Sequence, residues 1–372
     1  MSNSRLFKPL KLGNIELKNR VAMAPLTRFR ADDNHVILPI AAEYYGQRAS
    51  VPGTLLVAEA IFISHQHGGY ANAPGIWSQE QIDAWKKITY VVHEKNSFIY
   101  LQLWALGRTA DKDFAEKNGI TVMSSSSTPI SDEQRAIPKE MTKDDIKQTI
   151  AAYAQAAKNA IAAGFDGVEI HGANGYLLDQ FLQDNCNKRT DDYGGSVENR
   201  SRFAVEVAKA VVGAVGAKRT GIRFSPWSPF EDMKMKDPIP QFSDIIKKMN
   251  ALDLSYIHLI ESRVAGGRDV EADKLESLDS FLSLFDGPIL VAGGLKPDNA
   301  KRLTDKLHPD KDIVAVFGRY FISTPDLVFR LKKRIEFNAY DRSFFYTESQ
   351  ETGYTDYPFS EEFKTAQAIE TL

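Results

Sequence analysis

Eight short apolar runs alternate with longer amphipathic segments along most of the chain, and this alternation limits the possible folds more than any other feature. The runs are expected to be strands at 20–27, 54–63, 97–104, 165–172, 219–226, 254–261, 287–294 and 312–319. Their apolar residues are typical of strands buried on both faces of a parallel sheet. Eight strand–helix pairs favour an α/β fold of the (β/α)₈ TIM-barrel class over an open doubly wound sheet.

The segments between the strands carry helix start and stop signals. Ser78 and Gln81 have capping-box spacing, as do Thr142 and Asp145, and Gly164 ends the second of these segments. Further helices are expected at 38–49, 197–215, 240–251, 277–285, 297–307 and 325–336. No GxGxxG fingerprint follows the first strand, which argues against a Rossmann-type dinucleotide site.

Three segments fall outside the repeat. Residues 1–19 are expected to form a hairpin that closes the barrel floor, and 105–140 form an extended polar loop after strand three. Residues 338–372 are a C-terminal tail rich in Tyr and Phe. Long loops in compact domains are often functional lids, although surface decoration is commoner. A chain of 372 residues is within the range of one large barrel, so 1–372 is expected to be a single domain.

Composition argues against several classes of function. The formal net charge is −3 with no Lys/Arg block, which argues against a nucleic-acid partner. The single cysteine, Cys186, excludes an intrachain disulfide and fits a reducing compartment. The N-terminus lacks the apolar core of a signal peptide, and no run reaches the roughly eighteen apolar residues of a membrane span. A cytoplasmic location without a membrane partner is therefore expected.

Polar, aromatic or glycine residues stand at the ends of six predicted strands, where a barrel carries its site. They are Thr27, Arg28, Gln102, Trp104, His171, Arg223, Gly293, Gly294, Gly318 and Arg319. The glycines and Arg319 after strands seven and eight match a barrel phosphate site, although each glycine alone is also compatible with a simple turn. Arg223 needs a negative partner if buried, which is either a ligand or a carboxylate such as Glu59 or Glu169.

Gln102 offers both a donor and an acceptor, as recognition of an imide edge requires, although an ordinary structural hydrogen bond is the alternative. In the stretch HGANGY, His171 and Asn174 can both donate to one oxygen and stabilise negative charge there. Tyr176 fits a proton donor because its ordinary pKa is near 10, and the alternative is that it begins the next helix and packs.

Other chemistries fit the sequence less well. A metal site is disfavoured because His171 has no second ligand at suitable spacing, so none is expected. Nucleophilic catalysis is disfavoured because no G-x-S-x-G elbow is present and Cys186 lies in a polar loop. His258 is expected to be an interior histidine.

The chain resembles the Old Yellow Enzyme family of FMN-dependent ene-reductases from residue 5 to about 359, and seven stretches carry the resemblance. They are NRVAMAPLTRFRA, EYYGQRAS, FIYLQLWALGR, GFDGVEIHGANGYLLDQFLQ, RTDDYGGSVENRSRF, FGRYFISTPDL and YTDYP. The most specific match is HGANGYLLDQFL followed by DDYGGSVENRSRF. RASVPGTLL, PGIWS and IHGANGY resemble the fungal subgroup that includes chanoclavine-aldehyde reductases.

The resemblance implies a tightly bound, non-covalent FMN. The residues implied to hold it are Pro25, Leu26, Thr27, Ala60, Gln102, Arg223, Gly293, Gly294, Gly318 and Arg319. The Thr27 hydroxyl is expected near flavin O4, Gln102 at the pyrimidine edge and Arg223 opposite N1 and O2. NADPH is expected to bind transiently in the same pocket and leave before the substrate enters, which gives ping-pong kinetics.

The implied reaction is reduction of the C=C bond of an α,β-unsaturated aldehyde, ketone or quinone. His171 and Asn174 would bind the carbonyl oxygen, and Tyr176 would protonate the α-carbon after hydride from flavin N5 reaches the β-carbon. Trp104 and Tyr346 would shape the substrate pocket. The alternative is a flavin-dependent isomerase or oxidase acting on an alkaloid-pathway aldehyde, since some subgroup members have Phe at the position of Tyr176. A monomer or homodimer is expected.

Overall fold

Eight parallel strands close into a barrel, as the alternating pattern predicted. The computed structural model describes residues 3–266, 268–270 and 276–370. In chain order the strands are β1 Leu10–Leu12, β2 Ile15–Leu17, β3 Val21–Met23, β4 Leu55–Phe62, β5 Phe98–Trp104, β6 Met123–Ser124, β7 Lys139–Glu140, β8 Gly167–His171, β9 Thr220–Phe224, β10 Tyr256–Ile260, β11 Val264–Ala265, β12 Arg268–Asp269, β13 Ile289–Ala292 and β14 Ile313–Phe317. The barrel order is β10-β13-β14-β3-β4-β5-β8-β9.

The helices lie between the barrel strands and in the tail. They are α1 Ile40–Arg48, α2 Gln79–Glu94, α3 Lys112–Lys117, α4 Lys143–Ala162, α5 Leu177–Leu182, α6 Val197–Val215, α7 Pro238–Asn250, α8 Asp279–Leu282, α9 Pro297–Arg302, α10 Arg319–Ser323, α11 Leu327–Lys333 and α12 Glu361–Glu370. Both predicted capping boxes are present, at the starts of α2 and α4. No helix in the described ranges is long and apolar enough to cross a membrane.

Strand β3 is shorter than predicted. The expected run extended to Thr27, but the strand ends at Met23 and the last ladder bond is the one that the Ala24 N–H donates to the Phe317 carbonyl. Pro25 has no N–H to donate, so the ladder cannot continue through it. Residues 25–27 therefore lie in the loop that leaves the barrel rim.

The N-terminal hairpin packs on the inward-facing residues of the barrel, as expected for a floor. Strands β1 and β2 pair antiparallel, and their apolar side chains join a buried cluster with Tyr100, Tyr256 and Leu290. The large interior rings are accommodated by small neighbours. At Gly221, for example, a Cβ would lie 2.4 Å from the Tyr256 ring, so the glycine leaves room for that side chain inside the barrel.

The barrel interior is polar on one side and apolar on the other. The consecutive strands β5, β8, β9 and β10 carry the buried polar residues Gln102, Glu169, His171, Arg223 and His258. The strands β13, β14 and β3 contribute the apolar residues Ala22, Leu290, Ala292, Val314 and Val316, and Ala24 follows directly after β3. Charge and hydrogen-bonding capacity are therefore concentrated along one half of the barrel wall.

The loop after β5 is extended, as predicted, and contains α3, β6 and β7. The tail is held by buried arginines from the loop after β3 and from α1. Arg28 donates to the carbonyls of Phe345 and Gly353 at 2.9 and 2.7 Å. Arg48 donates to the Tyr354 carbonyl at 3.0 Å. The sequence analysis placed Arg28 at the rim, directly after the first predicted strand. In the structure its side chain points towards the tail, because the chain turns at the end of β3.

Candidate active site

Strand register brings His171, Arg223 and His258 together. In the parallel ladders, His171 pairs with Arg223 and Arg223 pairs with His258, so the three Cα atoms are neighbours on β8, β9 and β10. Gln102 pairs with Glu169 in the same way one layer deeper. Residues that are far apart in the chain thus meet at one rim because the strands of a barrel all point the same way.

The proton position on His171 follows from its backbone neighbour. The N–H of Ala173 donates to Nδ1 of His171 at 3.3 Å, so Nδ1 accepts and the proton of the neutral ring lies on Nε2. Burial, together with the positive charge of Arg223 and with His258, lowers the pKa of His171 well below its ordinary value. His171 is therefore a neutral hydrogen-bond donor through Nε2 at neutral pH.

Asn174 and Gly175 form a left-handed turn after β8. Their φ angles are 57° and 75°, a conformation that Asn tolerates and Gly adopts freely. The Asn174 N–H donates to Ser225 Oγ at 2.7 Å, and the Gly175 N–H donates to Asp179 at 2.9 Å. Asn174 Oδ1 is buried without a hydrogen-bond partner among the described residues. Ser225 and Asp179 therefore fix the turn, and no described residue donates to Oδ1 of the Asn174 side-chain amide.

Tyr176 lies edge-on to His171 and to Trp104. The ring centroids are 4.9 and 5.0 Å apart, with interplanar angles of 72° and 86°. Tyr176 is also the residue that precedes α5, so it both flanks the next helix and contacts the histidine. Burial raises the pKa of Tyr176 well above its ordinary value, and the tyrosine therefore stays protonated at neutral pH.

An aromatic rim surrounds this pair. Tyr70 lies 5.8 Å from Trp104 and 6.4 Å from Phe29, measured between ring centroids. Phe29 in turn lies 5.8 Å from Tyr346 of the tail, whose surface is 58% exposed. The sequence prediction included Trp104 and Tyr346 but missed Tyr70 and Phe29, because nothing in the local sequence of either loop indicates the contact.

A buried network centres on Glu169. Its carboxylate accepts hydrogen bonds from Gln102 Nε2 at 2.7 Å, Tyr256 Oη at 3.1 Å and His258 Nδ1 at 2.8 Å. Burial alone would raise the pKa of Glu169, but His258 and the positive charge of Arg223 outweigh this effect and lower the pKa. Burial lowers the pKa of His258. Glu169 is therefore ionised, and His258, the interior histidine that the sequence predicted, is neutral.

This network could have been recognised from alternation along the strands. Glu169 precedes His171 by two residues on β8, and Tyr256 precedes His258 by two residues on β10. Successive side chains of a strand point to opposite faces, so each pair faces the barrel interior together.

Arg223 does not form the ion pair with a protein carboxylate that was considered as an alternative. In the described part of the chain no carboxylate oxygen lies within 4.0 Å of its guanidinium nitrogens, and its Nε is buried without a hydrogen-bond partner. The charge of Glu169 acts on Arg223, but burial still lowers the pKa of Arg223. A buried, unpaired guanidinium suits an anionic or electron-rich ligand group.

The predicted phosphate-site residues lie at neighbouring strand ends. Gly293 and Gly294 follow β13 with φ angles of 135° and 62°, and Gly318 follows β14, which pairs with β13. Arg319 is not free there. It donates through both terminal nitrogens to Asp269, at 2.9 Å for Nη1, so a phosphate bound by Arg319 must share or displace this carboxylate.

Residues 25–27 follow β3 in the apolar half of the barrel, where Leu26 packs against the apolar cluster next to Gly318, whereas Ala60 borders the polar half. Thr27 is half-buried in the loop after β3, and Ala60 is buried on β4, where it pairs with Gln102 of β5. The Arg28 N–H donates to Glu59 at 3.3 Å, which fixes the backbone directly after Thr27. Within the described residues, no group of three His, Cys, Asp or Glu side chains is placed to bind a metal ion.

Flavin enzymes share this sequence and fold. The family model described as NADH:flavin oxidoreductase / NADH oxidase matches residues 5–338. A chanoclavine-I aldehyde reductase of Penicillium roqueforti is 55% identical over 366 residues, 98% of each chain. An NADP-dependent oxidoreductase of Aspergillus flavus is 53% identical over 96% of this chain and 97% of that one.

The crystal structure of Old Yellow Enzyme from a Pichia species superposes with a TM-score of 0.90. Its sequence is 38% identical, and the match covers 96% of this chain and 94% of the Pichia chain. The family match, the relatives and the barrel agree with the resemblance found in the sequence. The chain is an FMN-dependent oxidoreductase of the NADH:flavin oxidoreductase / NADH oxidase family and belongs to the fungal Old Yellow Enzymes that include chanoclavine-aldehyde reductases.

Proposed function

We propose that the protein reduces the C=C bond of α,β-unsaturated aldehydes, ketones or quinones, with FMN as cofactor and NADPH as electron donor. The observation that carries the proposal is the contact between His171, a neutral donor through Nε2, and Tyr176, which stays protonated at neutral pH. One residue can polarise a carbonyl oxygen, and the other can deliver a proton next to it.

The residues present fit an FMN. The buried Nε of Arg223 has no partner in the described structure, and Gly293 and Gly294 form a turn with positive φ angles at the end of β13. We propose that Arg223 faces N1 and O2, that Gln102 faces the pyrimidine edge and that the Thr27 hydroxyl lies near O4. Pro25, Leu26 and Ala60 are proposed to pack along the ring system. Gly293, Gly294, Gly318 and Arg319 are proposed to hold the phosphate.

When bound, FMN supplies the hydride that reaches the β-carbon of the substrate. His171 donates through Nε2 to the substrate carbonyl oxygen, and the Asn174 amide donates to the same oxygen, so the two residues stabilise the negative charge that develops there. Tyr176 then gives its hydroxyl proton to the α-carbon. The aromatic rings of Trp104 and Tyr346 are proposed to limit the width of the pocket.

NADPH is proposed as the reductant because one relative is named an NADP-dependent oxidoreductase. The barrel strands carry their site at one rim. NADPH and the enone are therefore proposed to use the same site in turn, which gives ping-pong kinetics. A cytoplasmic location and a monomeric or homodimeric state remain predictions.

The visible spectrum of the purified protein tests the cofactor and the reaction together. The protein, supplemented with FMN and desalted, is expected to show the absorption of oxidised flavin, to lose it on anaerobic addition of NADPH, and to recover it on addition of cyclohexenone or an enal. A protein that retains no flavin absorption would contradict the proposed function. If oxygen restores the flavin absorption but no enone, enal or quinone does, the proposed substrate class is contradicted.

A further inference from the structure

A carboxylate is buried in the barrel wall one layer below the rim, and the proposed mechanism does not use it. Glu169 is fully buried and accepts hydrogen bonds from Gln102, Tyr256 and His258. We propose that Glu169 is a positioning residue for FMN, which orients the Gln102 amide and offsets the charge of Arg223. This inference rests on the proposed function, since it requires FMN to lie against Gln102 and Arg223.

The first part of the inference concerns the Gln102 amide. An ionised carboxylate can only accept hydrogen bonds, so the NH₂ group of Gln102 must face Glu169, as the 2.7 Å contact from Nε2 shows. The amide oxygen is then free to accept a hydrogen bond from a ligand on the other side. An acceptor at this position selects a ligand edge with an N–H group, as the imide of an oxidised or reduced flavin provides.

The second part concerns charge. Glu169 and Arg223 lie on neighbouring strands, and Glu169 acts electrostatically on Arg223 without forming an ion pair with it. His258 is neutral, so the carboxylate is the only charge in the Glu169 network that opposes the guanidinium. Reduction of a flavin adds negative charge next to Arg223. A nearby carboxylate disfavours that charge, so Glu169 keeps the reduction potential lower than Arg223 alone would set it.

A purely structural role for Glu169 makes a different prediction. The carboxylate also accepts hydrogen bonds from Tyr256 and His258. Its removal can therefore destabilise the barrel independently of any effect on the cofactor. The flavin midpoint potential separates the two roles, because loss of folding free energy alone does not change the relative affinity for oxidised and reduced FMN.

The test is the midpoint potential and the FMN dissociation constant of Glu169→Gln. We expect a more positive potential, with the affinity for reduced over oxidised FMN rising about tenfold, which is about 30 mV for a two-electron couple. Weaker binding of oxidised FMN is also expected. The new carboxamide at position 169 can turn its NH₂ group towards Gln102, and the Gln102 amide would then reorient. An unchanged potential in the folded, FMN-loaded variant would overturn the inference.

Two controls address charge and burial separately. Tyr256→Phe removes one hydrogen bond to Glu169 but keeps its charge, so the potential should stay at the wild-type value. Asp326→Asn changes another fully buried carboxylate, which binds Arg330 and Ser360 at the start of α11. It should lower stability without changing the potential. A shift of equal size in Asp326→Asn would show that the effect in Glu169→Gln is a nonspecific one.

A second variant covers the case in which Glu169→Gln does not fold. Glu169→Asp keeps the charge but withdraws the carboxylate by one methylene, so weaker FMN binding at an unchanged potential is expected. A large potential shift in Glu169→Asp would contradict the charge argument. If the proposed function itself is wrong, the wild-type protein will bind no FMN, whereas failure of this inference alone leaves a wild-type flavoprotein whose potential Glu169 does not affect.

Discussion

The backbone N–H of Ala173 donates to Nδ1 of His171 across 3.3 Å, and this contact determines which imidazole nitrogen carries the proton. The pKa of His171 lies well below its ordinary value, so the ring remains neutral as the pH falls through the usual range of histidine titration. The donor in the site is thus a neutral imidazole, with consequences for the pH dependence of the reaction.

The rate constant of enone-dependent flavin reoxidation is expected to show no inflection between about pH 6 and about pH 8, because His171 does not titrate there. Stopped-flow measurements across this range check the expectation. His171→Ala should lower that rate constant by about 10²-fold, the usual effect of removing one donor to a developing oxyanion. A wild-type rate that doubles or halves around pH 6.5 would indicate a titrating His171 instead.

Tyr176→Phe is expected to stop net reduction while flavin reduction by NADPH continues. The substitution keeps the ring that packs on His171 and Trp104 but removes the proton, so enone turnover should fall by at least about 10²-fold. Flavin reduction by NADPH and flavin reoxidation by the enone are measured separately under anaerobic conditions. Tyr90→Phe, at an exposed position on α2, is the matched control. Unchanged enone turnover would exclude Tyr176 as the required proton donor.

Arg223→Met is expected to weaken FMN binding by about 10- to 100-fold, in line with the loss of a hydrogen bond from a charged group. The buried Nε of Arg223 is the physical reason, since no residue in the described ranges accepts a hydrogen bond from it. Fluorescence quenching of added FMN measures the dissociation constant. Arg219→Met changes an exposed arginine next to the opposite end of β9 and should leave FMN affinity unchanged. Equal weakening in both variants would contradict the assignment.

Glu59 is expected to make stability depend on pH. Burial raises its pKa from the ordinary 4.5 to about 7, so between these values the folded protein holds a proton that the unfolded chain has lost. The free energy of unfolding therefore falls as pH rises through this window, by roughly 3 kcal/mol at most for this group. Urea denaturation of Glu59→Gln at about pH 5 and about pH 8 should show a smaller difference than in the wild type.

The matched control for this prediction is Glu43→Gln, which changes an exposed glutamate on α1. It should retain the wild-type dependence of stability on pH. If Glu59→Gln retains it as well, another group must be the source of the dependence.

The barrel was predictable because each of its strands is a local apolar run, and the site because strand ends converge on one rim. His171, Arg223 and Gln102 were found this way, and the structure brings them together. The end of β3 was misplaced because apolarity was given more weight than the missing N–H of Pro25. The pairing of Arg319 with Asp269 could not be predicted, since it joins the first residue of α10 to the short strand β12, 50 residues earlier in the chain.

The contacts of Phe29 and Tyr346 depend on how the tail returns to the barrel, and no local pattern describes that path. The residues that hold the tail follow a simpler rule. Arg28 and Arg48 donate to backbone carbonyls of the tail, which every amino acid possesses. Evolution can therefore exchange side chains along this part of the tail, including Tyr346 at the mouth, without losing its anchorage. Such an arrangement lets the side chains of this tail segment vary while His171 and Arg223 on the neighbouring strands β8 and β9 stay the same.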